Sequence, residues 1–550
     1  MNKKHWILLL LLFVITAVVA RVYIFGEFPY THDGENHLAR FANYKIAIRE
    51  LQIPPRIAPV LHNHYGYPVF NYNYPLANIL SVPFSFLKIS YETTFAVLVW
   101  AFLFIGGIGA WFWTRYFTTA TRASIFSVIV WLTNPFITLT LWYRGNIGEI
   151  AAYSLLPWMF LIIHRTKDAY TKRTFLLSFI LGTAFLLSHN ITVAFSIPFL
   201  ALYAVLLIKK DAKKYQRLLV LALSCVGATL WFWLPALAEM SDIVVGNTGN
   251  QKAFSDHFVT LQQLLTAPLT FGYSLPGSID SLGLKIGFLP LLLALSAGTI
   301  LWYMRNKKKT NNIVQLSSFL LVSFVLTVIL QLNISEPVWH AVPFLRFMQF
   351  PWRWSLFLFS LLVPLSALTF AHSTSLLKKV FFVILCIILF EVLNMSPADT
   401  FHKSNADYEF FTQSSSTQNE NMARGFTYAN IGDWKPSADV LDSSNSAQII
   451  TTKWSGREHI YTVVAPDPTV IVEPTMRFSG WETKLNGSTI QYEEIEELQG
   501  RIGFYVPAGT TTVETSFTQN TPARLVGNSV SVVTLLLVTL YLIIGKKNEK

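Results

Sequence analysis

Residues 30–74, YTHDGENHLARFANYKIAIRELQIPPRIAPVLHNHYGYPVFNYNY, gather Asp33, Glu35, four histidines (His32, His37, His62, His64), Arg40 and Arg56, in a chain of which only 13% is Asp, Glu, Lys or Arg. A carboxylate in such company can take a proton from a hydroxyl. The planar fork of arginine matches phosphate oxygens. Asp33 is therefore the candidate base of a group transfer; the alternative is an amphipathic surface loop in which Asp33 caps the following helix. His62 and His64 read as surface residues. Three later motifs offer complementary groups: WYRGNIGE at 142–149, SHN at 188–190 and RFMQFPWRW at 346–354. Glu149 is the candidate second acid, or simply the ion-pair partner of Arg144. Arg144, Arg353, Arg346 and Arg40 are candidate phosphate binders, Arg353 having the alternative of an interfacial anchor between Trp352 and Trp354. His32, His37, His189, Asn190 and Tyr72 are candidates for substrate or metal, and a metal would be held by Asp33, Glu149 and His189. No DxD pair is present, since Gly34 and Glu35 follow Asp33.

The elements that must position these groups are membrane helices. The 550 residues are 52% hydrophobic with mean hydropathy +0.43, too apolar for a soluble chain of this length. Apolar runs of about 20 residues, the length that crosses a bilayer, fall near 6–25, 93–113, 123–142, 148–164, 174–188, 190–208, 218–238, 284–304, 313–332, 351–371, 376–394 and 525–544. That predicts about twelve spans, the first an uncleaved anchor. Residues 395–523 carry net charge −8, leaving +19 elsewhere. The basic excess sits in short loops, among them Arg165/Lys167/Lys172/Arg173, Lys209/Lys210/Lys213/Lys214 and Arg305/Lys307/Lys308/Lys309, with Lys546, Lys547 and Lys550 at the end. This is positive-inside patterning and not a nucleic-acid surface. It places both termini in the cytoplasm and all four motifs on the outer face. Counting 75–89 as a span would reverse every basic loop, so that segment, with Pro83, is expected as an interfacial or re-entrant helix.

Between the last two spans the pattern changes to period two, at 449–454, 459–464, 469–473, 502–506 and 511–517, with a hairpin turn at Asn486-Gly487. The expected division is a transmembrane domain over 1–394 with an outer loop at 26–92, an extracytoplasmic β-sandwich-like domain over 395–523, and a last span and tail over 524–550. Trp454, Trp481 and Tyr492 read as core residues of that sandwich. Cys225 and Cys386 both lie in apolar runs, which excludes a disulfide framework. Neither a P-loop nor a GxGxxG or HExxH motif occurs, so nucleotide hydrolysis and zinc proteolysis have no support. Charges within the spans lie near their ends, whereas ion-coupled transport needs ionisable groups at the midplane.

The ordered set HDG-x-x-HLAR, PPR, YGYP-x-F, YRG-x-x-GE, SHN and QFPWR resembles the bacterial multi-pass membrane proteins called 6-pyruvoyl-tetrahydropterin-synthase-related. It is also similar to the wider YfhO-like and GT-C glycosyltransferase proteins, over nearly the whole chain. The resemblance implies a GT-C-like fold in the bacterial plasma membrane, an acidic residue in the first outer loop, a polyprenyl-phosphate sugar donor and an envelope polymer or lipid as acceptor. The absence of a DxD pair leaves a divalent cation, Mg or Mn, an open requirement. The pterin chemistry of the family's name does not carry over, because soluble pterin synthases are compact zinc enzymes. Two other readings stay open: a lipid-linked-sugar flippase, and a non-catalytic protein that binds envelope glycans through the β-domain.

Overall fold

The computed structural model describes residues 3–168, 170–244, 254–276, 280–307, 312–415, 419–428, 433–442 and 446–544. Lys308, Lys309, Lys546, Lys547 and Lys550, on which part of the orientation argument rests, lie outside the described residues. Among the described residues, nine helices are long and apolar enough to cross a membrane: Tyr91–Thr114, Thr121–Arg144, Ile147–Asp168, Asn190–Ile208, Ala212–Ala238, Phe288–Asn306, Asn312–Ile329, Pro351–His372 and Pro522–Ile544. Helices Lys3–Val19, Lys172–Leu186 and Ser375–Leu393 occupy the three remaining expected segments. The first two are short, and the third carries Lys378, Lys379 and Glu391. The 75–89 segment forms the 11-residue helix Leu76–Phe86 with Pro83 inside it, too short to cross. Its polar Asn78, Ser81 and Ser85 are buried while Ile79, Leu80 and Phe86 are exposed, the inverse of a helix that faces water.

Two compact units divide the chain differently from the expected boundary at 394/395. One holds 1–35, 92–226 and 249–402; the other holds 36–91, 227–248 and 403–550. Most of the first loop thus belongs with the C-terminal segment 403–550.

In the first unit, helix Trp354–His372 is buried from residue 354 to 369. A helix buried on every side, its serines included, is the core element of this unit. Neighbouring helices lock through flat rings: Trp131 stacks on Tyr153 at 4.6 Å and Trp113 on Phe160 at 4.5 Å.

In the second unit the period-two segments form two antiparallel sheets. One runs Gln448–Trp454, Glu458–Ala465, Gly509–Phe517, Trp481–Leu485, Ser488–Thr489; the other runs Asp439–Val440, Thr469–Met476, Arg501–Val506. Asn486 and Gly487, both at positive φ, make the expected hairpin turn. Trp481 lies in the core between the sheets, and Trp454 and Tyr492 pack against it, as read from the sequence. His62 corrects its reading as a surface residue: it is buried against Tyr67, its Nδ1 2.7 Å from the Tyr428 hydroxyl. The loop turns left-handed at His62, Asn63 and His64, which folds the imidazole inward; His64 stacks on Trp434 at 4.5 Å.

The same unit contains a buried polar knot. The Arg524 guanidinium donates through Nε and Nη2 to Glu239 (3.2 and 2.8 Å), and Asn71 donates to the same carboxylate at 2.9 Å. Arg56 donates to Asn71, Gln519 and the Trp231 carbonyl at 3.2, 3.2 and 2.7 Å. Both arginines are fully buried.

Candidate functional site

The site grows from a broken helix. Thr121–Leu132 ends before Pro135, and the Asn134 side chain accepts from the Ile137 amide at 3.1 Å to restart the helix. The next five residues, Thr140–Arg144, form a π-helical turn closed by the Gly145 amide on the Thr140 carbonyl at 2.8 Å. Such turns are rare and concentrate at functional sites. Gly145 then turns left-handed at φ +64° in a space where a Cβ would strike Thr31 and lie 2.9 Å from the Gly34 nitrogen, so only glycine fits. A helix end leaves carbonyls without intrahelical donors. Here the carbonyls of Tyr143 and Arg144 accept from the amides of His32 and Asp33 at 3.0 and 2.8 Å. The first loop is thereby tied to the YRGN turn, residue against residue.

Asn146 joins the side chains in the same way. Its Nδ2 donates to the Asp33 carboxylate at 3.1 Å while its Oδ1 accepts from the Glu149 amide at 3.0 Å. Arg144 binds Glu149 with both Nη atoms, the Nη2 bond measuring 2.9 Å. Arg353 reaches the same carboxylate, Nε to Oε1 3.3 Å. Glu149 is 2% exposed, Arg144 5% and Arg353 13%. A buried carboxylate demands a cation; two guanidiniums on one leave a positive charge in excess, balanced by the nearby, partly buried Asp33. Trp352 stiffens the arrangement, with the Arg144 guanidinium 4.7 Å and that of Arg353 5.9 Å from its ring. Arg353 also donates to Gln349 Oε1 at 2.8 Å.

His189, buried at the junction of helices Lys172–Leu186 and Asn190–Ile208, accepts from the Thr192 amide at 3.3 Å and so caps the second of them, which Asn190 opens. It lies within electrostatic reach of Glu149, Arg353 and Arg144. His32 sits over Tyr273, and burial together with the Arg144 charge holds its imidazole below the ordinary range.

The structure therefore brings Asp33, Arg144, Glu149, Arg353, His32 and His189 into one neighbourhood. Arg346 is engaged elsewhere, by the carbonyls of Trp339 (3.5 Å) and His340 (2.8 Å). Arg40, His37 and Tyr72 belong to the second unit. There Arg40 donates to Ser415, His37 meets the Tyr74 hydroxyl at 3.5 Å, and Tyr72 donates to the Glu239 carbonyl at 2.5 Å. Glu149 takes the role of Arg144's partner, the alternative the sequence left open. Asn146 and Trp352 lie inside the quoted motifs, yet an amide and an indole carry no charge to single them out.

A divalent cation fits this donor set poorly. Both Glu149 oxygens face guanidiniums, and no group of three His, Cys, Asp or Glu able to hold a metal occurs among the described residues.

In sequence the chain is 23% identical, over 268 residues, to an uncharacterized protein of Lactococcus lactis, a match covering 46% of this chain and 43% of that one. Among solved structures it is similar to arabinofuranosyltransferase AftD from Mycobacteria (16% identity, TM-score 0.45, 72% of this chain and 26% of that one). It is also similar to ArnT from Cupriavidus metallidurans (14%, TM-score 0.42, 74% and 68%) and to the oligosaccharyltransferase of Archaeoglobus fulgidus (14%, TM-score 0.40, 78% and 57%). The chain thus spans less than half of the Lactococcus relative and about a quarter of the mycobacterial protein. Residues 70–399, more than half of the sequence, match the family described as 6-pyruvoyl-tetrahydropterin synthase related domain, membrane protein, and the chain belongs to that family.

Proposed function

We propose that the protein is an inverting glycosyltransferase of the bacterial plasma membrane. It moves a sugar from a polyprenyl-phosphate carrier to a hydroxyl of an envelope polymer or lipid at the outer face. The carrying observation is the link through Asn146 between the Asp33 carboxylate and the buried Arg144–Glu149–Arg353 cluster. Sugar transfer from a phosphate needs two things close together: a base for the acceptor proton and cations for the departing phosphate. Asp33 accepts the proton as the acceptor oxygen bonds to the anomeric carbon. The carbon–oxygen bond to phosphate breaks on the opposite side, its electron pair leaving with the phosphate oxygen, so the configuration inverts. Arg353 and Arg144, held by Glu149 and stacked near Trp352, meet the phosphate charge. Glu149 is then a positioning residue, since its oxygens are committed to arginines. His189 supports that cluster from the start of its own helix.

The test is binding of undecaprenyl phosphate to full-length protein in nanodiscs. Arg353→Ala should weaken binding by about tenfold or more, as expected when a charge-assisted pair is lost. Arg353→Lys should recover only part of it, because the bidentate fork is gone. Asp33→Asn should bind like the wild type. Unchanged affinity in Arg353→Ala removes the arginine from the phosphate site.

A further inference from the structure

Beside Asp33 stands a group of aromatic rings that neither the base nor the arginines require. His32 lies face to face with Tyr273, centroids 5.0 Å apart and planes 11° from parallel, and 5.2 Å from Phe271. Phe271 meets Tyr30 at 5.8 Å and Tyr143 at 6.0 Å. Despite the stacked imidazole, Tyr273 is 55% exposed, and Tyr30 is 45% exposed.

Residues 270–275, which present Tyr273, are pinned by bonds to Asp280, Ser281 and Trp352. The Tyr273 amide donates to Ser281 Oγ at 2.9 Å, and Thr270 Oγ1 donates to the Ser281 carbonyl at 2.9 Å. The Leu275 amide donates to Asp280 at 2.8 Å. Trp352, the ring beside both site arginines, donates to Ser274 at 3.2 Å. At Gly272 a Cβ would come 2.6 Å from the Ser281 Cβ, so this close approach needs glycine. An exposed tyrosine near a bilayer often serves as an interfacial anchor, but an anchor needs neither a pinned backbone nor an imidazole stacked on one face of its ring. A held aromatic ring, one face stacked on the imidazole that precedes Asp33 and the remainder exposed, suits a ligand with an apolar face and a hydroxylated edge. A sugar ring is such a ligand, its C–H face stacking and its hydroxyls donating to carboxylate or imidazole.

We propose that Tyr273, with His32 and Tyr30, forms the subsite for a sugar ring of the acceptor, so that the acceptor is itself a saccharide. The ring lies on Tyr273 and turns one hydroxyl toward Asp33. This rests on reading Asp33 as the base.

The experiment uses full-length protein in nanodiscs, free of glycosidic detergent, probed with an array of bacterial envelope oligosaccharides. Wild type should show saturable binding to a subset. Tyr273→Ala should lower that affinity about tenfold, the scale of losing one anchoring aromatic, while Tyr273→Trp, which restores a stacking face, should keep it. Equal affinity in Tyr273→Ala and wild type overturns the proposal. So does a wild type that binds no oligosaccharide saturably, or a Tyr273→Ala protein that loses only its lipid insertion. If Tyr273-dependent binding stands while Asp33→Asn transfers sugar normally, the subsite stands and the catalytic reading falls.

Discussion

Each unit buries a cluster of two arginines and one glutamate: both guanidiniums contact Glu149 in the first, whereas in the second Arg524 contacts Glu239 and Arg56 is joined to it through Asn71. In the Arg56–Glu239–Arg524 knot, guanidinium donors are taken up by carbonyls and amides: Thr518, Ser479 and Trp231 through the backbone, Asn71 and Gln519 through side chains. Glu239 is shared with Thr521 and Asn71 as well. Aromatic faces lie over the arginines of both clusters, but at the edge of the Arg144–Glu149–Arg353 cluster a second carboxylate, Asp33, is only partly buried, and the adjacent His32 carries the exposed Tyr273 ring. Identical charges thus serve different ends. Where hydrogen-bond partners close around the ions the cluster fixes the fold, and where one carboxylate stays partly accessible the cluster can act on a ligand.

The contrast breaks most visibly at Arg524. Removing one partner of a buried, fully bonded pair costs on the order of 3–5 kcal/mol, so Arg524→Ala should lower the unfolding temperature sharply or abolish recovery of monodisperse protein. Arg353→Ala, at a less enclosed position, should fold with a much smaller loss. Equal destabilisation by the two, measured by thermal unfolding in nanodiscs, would show that both clusters are structural.

A pH titration sharpens the second unit's side. Burial pushes the His62 imidazole down to about 4, against an ordinary value near 6.5. Between those values the unfolded chain binds the extra proton, so stability is full above about pH 6.5 and declines as pH falls toward 4. The loss is at most ~3 kcal/mol by linkage. His62→Gln should flatten that part of the stability profile; an unchanged slope would contradict the burial.

The membrane class, the position of nearly every span and five strands were legible because hydropathy and period-two alternation are local signals. The four motifs were legible as well, since charge is scarce in such a chain. What escaped was non-local. No pattern in 30–74 shows that His32 and Asp33 stay with the first unit while Arg40 and Tyr72 go to the second, because a contact division is written in tertiary packing. The π turn at Thr140–Arg144 was hidden for a related reason: its extra residue per turn leaves no mark on hydropathy, and its role emerges only when the freed carbonyls meet the first loop. His62 read as a surface residue because polar type alone cannot reveal a left-handed turn that folds a side chain inward.

A smaller effect is expected at Asn146, which bonds Asp33 with one atom and the Glu149 amide with another. Asn146→Ala should cost about 1 kcal/mol, as does loss of a helix-capping side chain. It should also reduce sugar transfer while leaving undecaprenyl phosphate binding nearly intact, because the arginines keep Glu149. A variant that loses phosphate binding instead would place Asn146 in the phosphate site and not beside the base.

The central claim is that the first-unit cluster does chemistry with Asp33 as its base. The most direct measurement is sugar transfer by purified wild type and Asp33→Asn, both monodisperse, reconstituted alike and matched in unfolding temperature. A positioned base contributes ~10²–10⁴-fold in rate, so the variant should lose activity on that scale with its fold and its phosphate binding preserved. Wild-type turnover in Asp33→Asn would contradict the account.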